Sequence, residues 1–320
     1  MGGEVPERIL GLHTGALGDV ILFAHLLGRL RRTLDTRVTV TLAAGGEKAR
    51  LLAALGAVDT CIAVESLPLE TLFAEAPSPA LSQRLGRHDR LVSCFAPSDA
   101  VARGRLGEAC GSVRADFLPI RPPGGSPQHL LDVWSGDLGL DGSLAITPWH
   151  VPPVLRDAGA ACLCRSRIDP HRPYVVLHPG SGGASKCWPV ERFMALAGRL
   201  DAPVVFAVGP VERERWGEAV FARLAAVAVV VAPALDELAG LLAGARAFVG
   251  NDSGPAHLAA AVGTPAVTLF GPTDPRHFAP RAAREGTVTV LHASGWDRLT
   301  VEGKLDGKLL GGFIEAFQIP

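Results

Sequence analysis

The chain has 320 residues and a formal net charge of −1, with 48% hydrophobic and 20% charged residues. This composition is typical of a globular protein, and it excludes both a disordered chain and a global field that recruits nucleic acid or an anionic membrane. The length suits two domains that each bury a core.

The first half of the chain alternates strand and helix patterns. Strands are predicted at residues 9–12, 38–42, 61–64 and 91–95, and helices at 20–34 and 47–55. This alternation indicates βαβ units and a parallel sheet.

Prolines then become frequent between residues 119 and 173, where the pattern predicts one helix at 130–138. The polar segment 165–172 is predicted to link the two domains. The predicted boundaries are therefore 1–165 for the first domain and 166–320 for the second.

Strand and helix patterns resume in the second half. Strands are predicted at 174–178, 204–208, 227–231, 247–249, 266–270 and 288–291, and helices at 190–200, 212–225 and 235–243. The predicted fold is α/β, with two Rossmann-like, doubly wound parallel sheets facing across a cleft. Ligands of such sheets bind beyond the carboxyl ends of the strands.

The six cysteines include no CxxC pair and no partner set with zinc spacing. They predict reduced thiols and a cytoplasmic protein. We find no secretory signal and no uncharged run near the ~20 residues that span a bilayer. Peripheral association with the inner membrane stays open.

The most informative segment is residues 249–265, where a strand pattern stops at Gly250 and a helix pattern follows. Asp252 and Ser253 are good N-cap residues, and Gly254 lets a ligand approach the free backbone N–H groups of the helix start. His257 adds a donor one turn later. A capped or core histidine is the common alternative for His257 alone, and the case for an anion site depends on all four residues together.

A second segment, residues 178–189, joins a predicted strand to a predicted helix through three glycines and one lysine. Backbone N–H groups freed by Gly182, the Ser181 hydroxyl and the Lys186 ammonium suit an anion. The spacing differs from a Walker A motif. The alternative is a flexible surface loop with a solvated lysine.

Two acidic residues also follow predicted strands. Asp19 comes after the glycine-containing segment 13–18 and is either a helix cap or a general base. Glu212 follows residues 208–210 and either accepts from a ribose hydroxyl or a base amine, or is an ordinary first-turn glutamate.

These segments together resemble glycosyltransferase family 9, which includes the lipopolysaccharide heptosyltransferases. The matching signatures are residues 15–19, the segment from His178 through Lys186 to Pro189, and Asp252–Gly254 with His257, followed by residues 270–273. The resemblance spans residues 8–280 and implies a GT-B fold with an N-terminal acceptor domain and a C-terminal donor domain.

The resemblance further implies an inverting, metal-independent transferase that needs no cofactor. It would move a heptose-like sugar from a nucleotide diphosphate, ADP-heptose in the best-known members, to a glycan or lipopolysaccharide-type acceptor at the inner membrane face. Asp19 would be the base, and Ser181, Gly182 and Lys186 would hold the diphosphate, Lys186 also stabilising the leaving group. Glu212 would contact the nucleoside. Asp252, Ser253, Gly254 and His257 would line the donor site.

Two other functions fit the same pattern. A sugar-nucleotide epimerase of the same architecture would bind a donor without an acceptor, and a non-catalytic homologue would bind the nucleotide sugar only. The tail at residues 292–320 matches no family pattern, although a terminal helix that packs back on the first domain is common in GT-B folds.

Overall fold

The computed structural model describes residues 6–34, 36–74, 78–142, 145–282, 286–293 and 296. Two compact units divide the chain, Met1–Ile146 and Thr147–Pro320. The predicted packing of the last residues on the first domain lies outside the described residues.

The first unit is built on a parallel five-stranded sheet with the order β3-β2-β1-β4-β5. Its strands are β1 (Glu7–Leu12), β2 (Val38–Ala44), β3 (Thr60–Ala63), β4 (Arg90–Ser93) and β5 (Arg114–Phe117), and its helices are α1 (Leu17–Thr33), α2 (Gly46–Ala54), α3 (Pro79–Leu85), α4 (Ala100–Cys110) and α5 (Leu130–Asp137). Short 3-10 turns occupy Val64–Ser66 and Leu69–Phe73.

The second unit is built on a parallel six-stranded sheet with the order β11-β10-β9-β6-β7-β8. Its strands are β6 (Val175–His178), β7 (Val204–Ala207), β8 (Val229–Val231), β9 (Ala247–Asn251), β10 (Ala266–Phe270) and β11 (Val288–His292), and its helices are α6 (Pro153–Arg165), α7 (Val190–Ala197), α8 (Pro210–Arg215), α9 (Glu218–Val227), α10 (Leu235–Gly244), α11 (Gly254–Ala261) and α12 (Pro275–Phe278). A 3-10 turn covers Ala184–Lys186.

Two apolar cores support these sheets. Leu10 and Leu12 of β1 pack with Leu106 of α4 in the first unit. In the second, Trp188 and Phe193 stack edge to face with their centroids 5.0 Å apart, beneath β6 and β9. The predicted α/β class with two Rossmann-like parallel sheets is therefore confirmed.

The units divide between Ile146 and Thr147 rather than at the predicted 165–166 boundary. The boundary lies earlier because residues 153–165 form helix α6, which was not predicted in this proline-rich stretch. This helix packs directly on α10, where a Cβ on Gly240 would lie 1.8 Å from the Leu155 carbonyl oxygen. Only glycine allows this backbone contact, so α6 is part of the second unit.

Three further expectations differ from the structure. The helix predicted at 212–225 is two helices, α8 and α9, separated at Trp216 and Gly217. Helices α3 and α4 and strand β5 were not predicted. Helix α1 starts at Leu17, three residues earlier than expected, so Asp19 lies inside its first turn.

Candidate functional site

The first loop, residues 13–16, joins the carboxyl end of β1 to α1. Nearby side chains accept hydrogen bonds from its backbone N–H groups. The buried His13 accepts a hydrogen bond at Nδ1 from the Gly15 N–H at 2.9 Å. Burial, helped by the charge of Lys48, lowers the pKa of His13 to about 4. The imidazole is therefore neutral near pH 7 and acts as an acceptor that shapes the loop.

Asp19 belongs to the same loop. Its Oδ2 accepts from the Ala16 N–H at 3.2 Å, so the carboxylate occupies a free amide of the α1 start. Asp19 is half-buried. Burial raises the pKa of the Cys94 thiol, which follows β4, and the charge of Asp19 adds to that shift.

Lys48 of α2 completes this first cluster. Its Nζ donates to the Gly15 carbonyl oxygen at 2.7 Å. Sequence patterns did not single out Lys48, because the contact joins the ends of two neighbouring strands rather than neighbours along the chain. The cation is held against the loop that carries Asp19.

The second loop, residues 179–189, joins β6 to α7. It lies beside the end of β9, because His178 pairs with Gly250 in the sheet. Ser181 is buried, and its hydroxyl donates to the Asp252 carbonyl oxygen at 2.6 Å. The Lys186 ammonium contacts the Asp252 carboxylate at 2.7 Å. The structure thus brings together the predicted residues of both segments.

Lys186 and Asp252 differ in exposure, and the difference assigns their roles. The Lys186 side chain is 38% exposed, whereas that of Asp252 is 7% exposed. Asp252 therefore fixes the position of the ammonium from below, and Lys186 keeps donors for a ligand.

The start of α11 carries unused hydrogen-bonding groups. Ser253 is the N-cap residue but its side chain makes no capping bond, and within the described residues no protein group accepts from the N–H of Ser253 or Gly254. The Ser253 hydroxyl and His257 Nδ1 are buried without a partner. Buried polar atoms are normally paired, so these atoms indicate a ligand site.

His257 is neutral in this environment. Burial lowers its pKa to about 4, and the charge of Lys186 acts in the same direction while that of Asp252 opposes it. Its other ring nitrogen donates to the Phe278 carbonyl, so the unpartnered Nδ1 of the neutral ring is an acceptor and suits a hydroxyl of a ligand rather than an anion.

Glu212 is more enclosed than the sequence suggested. It is 3% exposed, and its Oε2 accepts from the Gly209 N–H at 2.7 Å. Its other oxygen lies against Gly180, where a Cβ would come within 1.9 Å of Oε1. Glu212 thus supports the second loop from behind.

Two residues that sequence patterns did not assign to the site also contact this loop. Asn251 hydrogen-bonds the carbonyls of Pro179 and Gly180, and Arg215 hydrogen-bonds those of Ser181 and Gly182. Asn251 directly precedes the predicted caps Asp252 and Ser253, but the carbonyls that it contacts lie 72 and 71 residues earlier in the chain. No local pattern singled out Arg215, because it lies 34 residues after Ser181, whose carbonyl it contacts.

Neither a cluster of metal-binding side chains nor a membrane-spanning helix is found among the described residues. No cluster of three or more histidine, cysteine or acidic side chains suited to a metal ion occurs there. None of the helices described is long and apolar enough to cross a bilayer.

Comparison with known proteins gives a consistent result. Residues 155–300 match the sequence model of glycosyltransferase family 9 (heptosyltransferase). Lipopolysaccharide heptosyltransferase 1 of Pseudomonas aeruginosa is 41% identical over 130 residues, which cover 38% of this chain and 36% of that protein. The chain thus spans little more than a third of this relative.

Solved structures agree over almost the whole chain. The ADP-heptose lipopolysaccharide heptosyltransferase II of Escherichia coli has a TM-score of 0.76 at 19% identity, covering 97% of this chain and 99% of the other. The E. coli heptosyltransferase WaaC, solved with ADP, has a TM-score of 0.67 at 19% identity, with the same coverage. These likenesses show a shared fold with GT-B heptosyltransferases.

The resemblance to glycosyltransferase family 9 that the motifs predicted is therefore confirmed. The matched range, residues 155–300, contains the second loop and the start of α11. The first loop, with Asp19, lies outside that range.

Proposed function

We propose that the protein is a glycosyltransferase that moves a heptose-like sugar from ADP-heptose to a glycan or lipopolysaccharide-type acceptor. The observation that carries the proposal is the anion-accepting surface of the second unit, formed by the second loop, Lys186 and the open start of α11. The ADP complex of WaaC and the name of the P. aeruginosa relative support the choice of donor and acceptor.

The proposed reaction inverts the configuration of the transferred sugar. Asp19 takes the proton of the acceptor hydroxyl as that oxygen attacks the anomeric carbon, and the bond to the nucleoside diphosphate breaks on the opposite face. A general base of this kind contributes about 10²–10⁴-fold to the rate. The first unit would thus be the acceptor domain.

The leaving diphosphate gains negative charge as the bond breaks. Lys186 and the N–H groups of the second loop and of α11 are proposed to stabilise that charge without a metal ion, since preorganised donors act most strongly where charge develops. Ser181, Gly182, Asp252, Ser253, Gly254 and His257 are proposed to shape the donor site, and Glu212 is proposed to contact the nucleoside.

A panel of nucleoside diphosphates tests the donor class without any knowledge of the acceptor. Ligand at a hundred times its Kd stabilises a folded protein by about 2.7 kcal/mol, and at equal concentration the ligand that binds most tightly stabilises most. Because ADP is the proposed donor nucleotide, it should raise the unfolding temperature more than UDP or GDP. No shift with any of the three would contradict the proposal.

Incubation with ADP-heptose and heptose-free lipopolysaccharide then separates the candidate functions. Acceptor-dependent ADP release with an inverted product, unchanged by EDTA, is the expected result. An altered nucleotide sugar formed without acceptor would indicate an epimerase, and binding without turnover a non-catalytic homologue. An acceptor of this kind is lipid-linked, so we place the reaction at the cytoplasmic face of the inner membrane.

A further inference from the structure

The carbonyl groups of the second loop are all directed at protein donors. Asn251 Nδ2 donates to the carbonyl oxygens of Pro179 and Gly180 at 2.8 and 3.2 Å. The Arg215 guanidinium donates to those of Ser181 and Gly182 at 3.1 and 3.0 Å. Four successive carbonyls are therefore held by two side chains.

The next carbonyls along the loop are also occupied. That of Gly183 accepts from the Lys186 N–H at 3.1 Å, and that of Ser185 accepts from the Trp296 indole at 3.0 Å. Asn251 is itself fixed, because it is fully buried and its Oδ1 accepts from the Trp188 N–H at 2.9 Å. The loop is thus a framework with defined peptide orientations.

Carbonyl groups turned toward the protein leave the N–H groups turned away from it. Across the described part of the chain, no protein group accepts from the N–H of Gly182, Gly183, Ala184 or Ser185. Successive free N–H groups form a concave anion site. The two side chains that hold the carbonyls therefore determine which way this site faces.

We infer that Asn251 and Arg215 are positioning residues that orient the second loop so that its N–H groups bind the donor diphosphate. This inference rests on the proposed function, which supplies the diphosphate. Arg215 acts through the two carbonyls that it bridges. Its planar guanidinium donates from two nitrogens in a fixed geometry, whereas a lysine ammonium has only one nitrogen. Its positive charge is not the feature that the loop requires.

Arg215 provides the cleaner test, because it is exposed and its replacement leaves the core intact. Arg215→Gln should weaken ADP binding about 5- to 10-fold, the effect of roughly one lost hydrogen bond, and leave adenosine binding unchanged. Arg215→Lys should be as weak as Arg215→Gln, since one ammonium does not bridge both carbonyls. Arg213→Gln, an exposed change on the same helix, is the matched control.

Asn251→Ala extends the test to the buried partner. It removes three hydrogen bonds, so a loss of roughly 10- to 100-fold in ADP affinity is expected together with a lower unfolding temperature. If this variant does not fold, the Arg215 series alone decides the matter.

Calorimetric titration of ADP and adenosine into each variant gives distinct outcomes. Three outcomes would overturn the inference. They are wild-type ADP affinity in Arg215→Gln, an equal loss of ADP and adenosine affinity, and recovery of ADP affinity in Arg215→Lys. Recovery in Arg215→Lys would indicate that the charge of Arg215 contacts ADP directly. A wild-type protein that binds no ADP would instead overturn the proposed function and this role with it.

Discussion

The two loops that follow the central strands β1 and β6 occupy comparable places in their sheets but have opposite polarity. In the first, N–H groups are used up internally, by His13 Nδ1 and by Asp19 Oδ2. In the second, carbonyl groups are used up internally, by Asn251 and Arg215. One loop therefore presents a carboxylate, and the other presents donors.

The difference shows how one βα turn is adapted to two tasks. A helix start with free N–H groups attracts anions, and filling one of those groups with the Asp19 carboxylate removes that attraction. The second loop keeps the N–H groups of residues 182–185 without an acceptor among the described residues, and it adds Lys186 beside them. Under the proposed function the first loop takes a proton and the second takes a diphosphate.

Asp19→Asn should show the largest effect and tests the first loop alone. Asparagine still accepts from the Ala16 N–H but is not a base, so sugar transfer should fall by about 10²–10⁴-fold while ADP binding is unchanged. Transfer is measured as acceptor-dependent ADP release. The control is Glu47→Gln, an exposed change in the first turn of α2. A similar loss of transfer in Glu47→Gln would contradict a specific role for Asp19 as the base.

Lys186→Ala tests the second loop alone. The change removes the ammonium and leaves the buried Asp252 carboxylate unpaired, so ADP affinity should drop roughly 10- to 100-fold. Adenosine, which lacks phosphate, should bind as before in calorimetric titrations. Equal losses for both ligands would argue against the anion role, and the exposed Arg172→Ala serves as the matched control.

Acid should destabilise both units through buried histidines whose pKa is lowered in the folded protein: His13 and His88 in the first unit, and His178 and His257 in the second. The pKa of His13 and that of His257 are about 4 in the folded protein, against 6.5 for an ordinary histidine. Between these values the unfolded chain binds more protons. Stability is therefore full above pH 6.5 and is lost as the pH falls toward 4, by about 1.4 kcal/mol per pH unit for each histidine.

Urea unfolding between pH 7 and 4.5 measures this slope. His13→Asn keeps an acceptor near the Gly15 N–H and removes the titrating group, so its slope should be shallower than that of the wild type. A slope equal to that of the wild type would mean that folding does not lower the pKa of His13.

Lys48→Gln should have the smallest effect. Its ammonium holds the Gly15 carbonyl next to Asp19, and loss of this hydrogen bond should slow transfer by about 3- to 10-fold. ADP affinity should not change, because Lys48 belongs to the first unit. A matching loss of ADP affinity would contradict this assignment, and the exposed Arg50→Gln on the same helix is the control.

Apart from β5, local patterns predicted the described strands and the glycine-containing loops, because alternation, capping residues and glycine act over a few neighbours. They placed Asp19, Lys186 and Asp252 at strand ends for that reason. The hydrogen bonds of Arg215 and Lys48 to loop carbonyls join distant segments, so they become visible only in three dimensions. The same holds for α6, whose place depends on a glycine contact with α10.

The contact between Gly180 and Glu212 restricts how this chain changes over evolutionary time. A single added methyl group at position 180 would overlap the Glu212 carboxylate. A lineage that replaces Gly180 therefore passes through a poorly tolerated intermediate, unless the side chain at 212 shortens beforehand. Drift at these two sites should consequently be ordered, with the glutamate changing before the glycine.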